Sequence, residues 1–312
     1  MRQTVVGILA HVDAGKTTLA EAMLFDAGPI RTRGRVDRGD SHLDTDLMER
    51  DRGITIFSSQ ATLEHADTAI TLVDSPGHVD FSAEAERTLA ALDLAVLVVG
   101  ANDGIQGHTR TLWRLLERHG IPTIIFANKI DLLPDAGSPA ERDTLLATLR
   151  ARLSEGCLPV EELTGEAAAM TDEVALEEFL EAGTLDDATT RRLFAERHVF
   201  PCLFGSALKN EGVTELLDII AELAPTHTWP DEFAARVYRV SRDDRGERIA
   251  WLKITGGELR ARQQVNGAAD GAPWFEKINE LRIYTGSRFE PVPCVSAGGV
   301  CAVTGLSHIR PG

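Results

Sequence analysis

The chain has 312 residues, 48 Asp+Glu against 32 Lys+Arg, a formal charge of −16 and 43% hydrophobic content. That length and apolar content supply one large or two ordinary cores and exclude a disordered or fibrous protein. The negative charge excludes holding nucleic acid by bulk phosphate neutralisation, so any such partner has to be met locally.

Four cysteines (Cys157, Cys202, Cys294, Cys301) stand without a CxxC pair, which indicates neither a disulfide framework nor a zinc cluster and fits a reducing, cytoplasmic setting. The apolar run at the N-terminus has strand length and leads into a motif instead of a cleavage site. No run reaches spanning length, so no membrane partner is expected.

The first predicted strand, TVVGILA, leads into Ala10-His11-Val12-Asp13-Ala14-Gly15-Lys16-Thr17 and a helix over 17–27. Strand, loop and helix in this order are the context that a Walker A loop requires, although Ala10 stands where the strict pattern has Gly. Backbone N–H groups from Asp13, Ala14, Gly15, Lys16, Thr17 and Thr18, at a helix N-terminus, favour a bound anion. Lys16 is placed to bridge β- and γ-phosphates, and the Thr17 hydroxyl to ligate Mg²⁺. Alone, the motif also fits a tight turn that binds nothing.

A long polar segment (29–55) ends in Arg52-Gly53-Ile54-Thr55, where Thr55 is a second hydroxyl for Mg²⁺. Six arginines there are accompanied by six acids, which reads as a mutually paired loop and assigns no arginine finger. The strand TAITLVD then delivers Asp74-Ser75-Pro76-Gly77-His78, a D-x-x-G element in which Asp74 reaches Mg²⁺ through water and the Gly77 N–H senses the γ-phosphate. Both segments are expected to be ordered by that phosphate and released after its loss. A helix is predicted over 82–92.

The apolar strands LAVLVVGA and PTIIFANK flank a helix over 107–119, and the second ends in Asn128-Lys129-Ile130-Asp131. This is the carboxyl edge, where ligands bind in open α/β sheets. Asp131 can accept from N1–H and the 2-amino group of guanine, a donor pair that adenine lacks, so the pattern selects GTP and GDP. Asn128 braces the pocket and the Lys129 stem covers the base. The strand FPCLFGSA ends in Gly205-Ser206-Ala207-Leu208, with the Ala207 N–H aimed at guanine O6. Between these strands lies a helical insertion, about 133–199. Its stretch 153–190 holds eleven Asp/Glu and no Lys or Arg, leaving 37 acids against 32 bases elsewhere, so the −16 is mostly one insertion.

A helix over 212–223 closes the first unit, 1–226, whose alternating strands and helices predict a mostly parallel sheet covered on both faces. The segment PTHTWPDEF (225–233) reads as a linker. Short strands broken by Asp-Asp-Arg-Gly and Gly-Gly turns then predict a small antiparallel β-barrel over 227–312. Trp251 and Trp274 read as core residues, since neither sits in a basic-aromatic cluster of the sequence.

HVDAGKTT, ERDRGITI, DSPGHVDF, NKID and GSA, in this order, resemble the translational GTPases of the elongation-factor superfamily. LAHVDAGKTTLAEAMLFDAG, VDRG at 36–39 and MERDRGITI at 48–56 look most like the ribosomal-protection tetracycline resistance proteins of the Tet(M) type, with elongation factor G as second choice. The resemblance is specific from residue 4 to about 224 and looser over the β domain. It implies an α/β P-loop GTPase domain with a helical insertion, a β-barrel second domain short of its closing strand, and later domains absent from this chain. It implies His78 as the catalytic histidine that orients the attacking water, Val12 and Ile54 as the apolar pair flanking it, and Asp13 as a residue that helps neutralise charge at the phosphates, with a monovalent cation beside it. Ser75 stands where the family pattern has Thr. The implied partner is the ribosome, whose RNA supplies the activating contact, and the fragment is expected to be monomeric. A reading from another class is a GTP-sensing, ribosome-binding regulator with incidental turnover, which could dispense with His78.

Overall fold

The computed structural model describes residues 1–30, 59–74, 87–243, 246–269, 272–285 and 288–311. Seven strands, β1 (Arg2–Ala10), β2 (Ser59–His65), β3 (Thr68–Asp74), β4 (Leu94–Gly100), β5 (Thr123–Asn128), β6 (Cys157–Pro159) and β7 (Phe200–Phe204), form one sheet in the order β2-β3-β1-β4-β5-β7-β6. Only β2 runs antiparallel to its neighbour. Strands β4 and β5 are buried at every residue, as strands covered on both faces must be. Two strands escape the sequence pattern. β2 is mostly polar with only Ala61 and Leu63 in the core, and β6 adds three residues of the expected helical insertion to the sheet edge beyond β7.

The α-helices that lie wholly within the described residues are α1 (Lys16–Asp26), α2 (Gly107–Arg118), α3 (Pro139–Arg152), α4 (Glu166–Ala169), α5 (Glu173–Ala182), α6 (Asp187–Ala195) and α7 (Val213–Leu223). Three of the four in the insertion carry polar caps, α4 starting instead from Gly165. Ser138 and Glu141 form a capping box at α3, Asp172 accepts from Ala175 N–H at α5 (3.0 Å), and Asp186 accepts from Thr189 N–H at α6 (2.7 Å). Of the helix predicted over 82–92, residues 82–86 lie outside the described residues, 87–89 are helical, and Ala90 and Ala91 form a turn.

Beyond the linker come β8 (Ala234–Arg242), β9 (Arg248–Gly256), β10 (Glu258–Arg260), β11 (Gln264–Ala269), β12 (Ala272–Lys277), β13 (Glu280–Thr285), β14 (Arg288–Val292), β15 (Cys294–Ser296) and β16 (Val300–Thr304). They form a five-stranded antiparallel sheet, β14-β13-β16-β9-β8, and two short ladders, β10–β15 and β11–β12. The expected barrel is thus built as three sheets around one core, with no helix among its described residues.

Period-two alternation along β9 divides its side chains between two cores. Ala250, Leu252 and Ile254 pack inside the β domain, whereas Ile249 and Trp251 join the apolar cluster that contains Val5, Val73 and Leu97 of the first domain. Lys253 follows the same face and donates to Asp93 Oδ2 (2.7 Å) just before β4. That carboxylate also accepts from Val5 N–H (2.8 Å) and meets His227 Nε2 of the linker (3.2 Å). Gln60 of β2 and the Tyr238 hydroxyl of β8 make a further polar contact between the domains. Trp251 is buried as expected, but it does have basic and aromatic neighbours. The Arg239 guanidinium, cross-strand from Trp251, lies 5.1 Å over its ring, and Tyr284 of β13, two strands across, is 4.7 Å away, contacts that the fold makes and linear order conceals. No described helix is long and apolar enough to cross a membrane.

Candidate functional site

The phosphate loop, residues 11–15, joins the carboxyl end of β1 to the first turn of α1. Ala14 N–H donates to His11 O (3.1 Å), and Asp13 and Gly15 both take positive φ, 63° and 93°. Backbone that alternates into the left-handed region turns successive N–H groups to one side, the concavity that binds anions. Replacing Gly15 would strain the loop, because besides its φ a Cβ there would sit 2.3 Å from Asn128 Nδ2 and displace that side chain. Lys16 is buried, Val12, Thr17 and Thr18 are half-buried, and Asp13 is exposed.

Asn128, the last residue of β5 and 2% exposed, links the two loops a nucleotide would span. Its Nδ2 donates to Ala14 O (2.9 Å) and its Oδ1 accepts from Ala207 N–H (2.8 Å). The Ala207 N–H that the sequence directs at guanine O6 is therefore engaged with Asn128. Lys129 follows in the left-handed region at φ 66°, and Asp131 has a side chain 10% exposed with Lys209 Nζ at 3.7 Å. The base loop is closed by reciprocal backbone bonds between Ser206 and Glu211, both 3.0 Å. Leu132 and Leu208 add exposed apolar side chains to the two base segments.

These residues fit a guanine nucleotide, with an anion-binding concavity at one end, a carboxylate acceptor at the other and a neutral brace between them. Thr17 fits a hydroxyl ligand of Mg²⁺. Asp74 ends β3 beside Ile8 of β1, with its side chain outside what is described, and Ile54, Thr55, Gly77 and His78 lie outside the described residues. Lys209 and the Asp93 cluster were not singled out from sequence. A charged residue inside an apolar strand, as at Lys253 in IAWLKITG, is the signal available for the latter. The β domain has a cavity of about 520 Å³, lined by Phe233, Leu252, Trp274 and Ile278 among others, that shares no residue with the phosphate or base loops.

Residues 1–226 match the family of the elongation factor Tu GTP binding domain. Across the whole chain, an oxytetracycline resistance protein of Streptomyces rimosus is 35% identical, with 100% of this chain and 52% of that protein covered. A tetracycline resistance protein TetM of Streptomyces lividans is 38% identical over 85% of this chain and 45% of its own. TetM from transposon Tn916 of Enterococcus faecalis is 33% identical over 90% and 46%. A crystal structure of a Thermus thermophilus protein superposes with a TM-score of 0.84 at 25% identity, covering 99% of this chain and 53% of that one. The chain spans about half the length of the curated relatives it matches.

Proposed function

From the premise that the chain belongs to the family of the elongation factor Tu GTP binding domain, we propose that it binds GTP and GDP with Mg²⁺ and hydrolyses GTP as part of a ribosome-associated translation factor of the tetracycline-resistance type. One observation carries the reading. A single buried side chain, Asn128, bonds the phosphate loop at Ala14 and the base loop at Ala207, holding the two ends of a nucleotide site at fixed separation. Asp131 selects guanine through N1–H and the 2-amino group, and a base lacking them would leave a mostly buried carboxylate unsatisfied.

Lys16 and the N–H groups from Asp13 to Thr18 hold the phosphates, with a monovalent cation beside Asp13. Thr17, Thr55 and Asp74 hold Mg²⁺, which when bound neutralises charge developing on the phosphates. His78 orients the attacking water, and Val12 with Ile54 holds that imidazole back until the ribosome repositions it. The Gly77 N–H reads the γ-phosphate. The work left to the chain is positioning and electrostatics, as phosphoryl transfer requires.

The test is GTP turnover by the purified protein with and without ribosomes. Slow turnover that rises on their addition is expected, and equal rates contradict the ribosomal part of the proposal. Growth of a tetracycline-sensitive host that expresses the protein tests the resistance part. Ribosome-stimulated turnover without protection would favour a translocase of the elongation factor G kind.

A further inference from the structure

Asp26 closes α1, and both oxygens of its carboxylate take donors from outside that helix. Asn210 Nδ2 donates to Oδ1, and Thr214 Oγ1 donates to Oδ2 (2.9 Å). A carboxylate is disfavoured at a helix C-terminus, where the unpaired carbonyls concentrate negative charge, and α1 has no basic residue in its last turn to offset it.

The placement is explained from the opposite side. Thr214 is the second residue of α7, whose N-terminal N–H groups favour an anion, and the N-cap of α7, Gly212, makes no side-chain bond. Gly212 is held to glycine by φ +77° and by Phe204 O, which would lie 3.0 Å from a Cβ. Asp26, bonded to the Thr214 hydroxyl, therefore adds across space a second carboxylate to the N-terminal turn of α7, which carries Glu215 itself. Asn210, at φ 64°, belongs to the base loop that Ser206 and Glu211 close.

We propose that Asp26 is a positioning residue of the nucleotide site, tying the base loop to the far end of the helix that carries the phosphate loop. This rests on the guanine-nucleotide reading above. The strut is α1 itself, 11 residues and about 16 Å long, with Lys16 at one end and Asp26 at the other. Asn128 fixes the near ends of the two loops and Asp26 fixes the far side, so the base loop is held at two points.

The experiment follows release of N-methylanthraniloyl-GDP from the parent, Asp26→Ala, Asp26→Asn and Thr214→Val proteins. Single-turnover GTP hydrolysis at saturating GTP and thermal unfolding of the nucleotide-free proteins are measured beside it. Release about tenfold faster is expected for Asp26→Ala, the loss of hydrogen bonds to a charged group. Asp26→Asn, which keeps one acceptor oxygen, and Thr214→Val should fall between it and the parent. The single-turnover rate at saturation should stay unchanged, because the phosphate end is intact. Release unchanged in Asp26→Ala overturns the proposal, as does a fall in single-turnover rate by the same factor as the rise in release. Should Asp26→Ala fail to fold, Thr214→Val reads the same bond, and release at the parent rate overturns the proposal. A parent that binds no GDP sinks the guanine reading itself, an outcome distinct from a parent that binds GDP while Asp26→Ala behaves identically.

Discussion

At the carboxyl edge of the seven-stranded sheet, polar side chains reach backbone groups of separate loops, as Asn128 does at Ala14 and Ala207. At the amino end of β4, Asp93 is satisfied entirely from within the protein, by Val5 N–H, Lys253 and His227. The first arrangement is neutral and spaces the two loops to which the proposed function assigns the nucleotide. The second is ionic, with side chains 3% and 5% exposed, and fixes how the β domain sits on the first. A buried pair of this kind adds little net stability, since desolvation consumes most of the attraction, but it penalises any arrangement that separates the partners.

The largest expected effect comes from breaking the ionic side of this contrast. Lys253→Ala should cost about 3–5 kcal/mol in denaturant unfolding, because Asp93 stays buried without its cation. Asp93→Asn combined with Lys253→Met should recover most of that loss, because the amide oxygen can still accept from Val5 N–H while no charge is left buried. A single-variant cost below about 1 kcal/mol would mean the two edges do not differ as described. Next in size, Asn128→Ala should cost about 1–3 kcal/mol by leaving Ala14 O and Ala207 N–H without their shared partner. Its second signature is weaker GDP binding by calorimetry, which folded Lys253→Ala protein should not share. Tyr238→Phe should cost about 1 kcal/mol, through the loss of the hydroxyl that Gln60 meets at the domain boundary.

Acid should also act on the domain boundary. Burial pushes the Asp93 carboxyl up, but His227, Lys253 and the Val5 N–H together hold it below the usual aspartate value. In the β domain, burial likewise opposes Ser307 and His308 at Glu276, and the two residues prevail, bringing it down to about 2. A carboxylate with a depressed folded-state value stabilises the fold fully above its unfolded value, and that contribution is lost as pH falls through the folded one. Unfolding temperature should accordingly hold steady above about pH 5 and decline progressively from about pH 4 toward pH 2. A decline complete by pH 4 would contradict these assignments.

What the sequence made legible follows from the range of the interactions. The continuous apolar runs of β4 and β5 announce buried parallel strands, and the glycine and polar residues of the phosphate and base loops are fixed by local geometry. β2 stayed hidden because an edge strand needs one apolar face, here only Ala61 and Leu63. β6 is three residues inside an acidic, helix-rich stretch. Asp93 and Lys253 stand out as lone charges in apolar runs, yet nothing local pairs residues 160 positions apart. The same holds for Asp26 and Thr214, 188 apart. Bonds across such separations are made by the fold, so sequence shows the need for a partner and not its identity.

The central claim is a guanine site ending at Asp131, and calorimetric titration of the parent and Asp131→Asn proteins with GDP and with xanthosine diphosphate tests it most directly. The substitution exchanges a carboxylate acceptor for an amide that can donate to the 2-oxo group of xanthine. The parent should prefer GDP by about a hundredfold or more, and the variant should prefer xanthosine diphosphate. A variant that still prefers GDP would contradict the account.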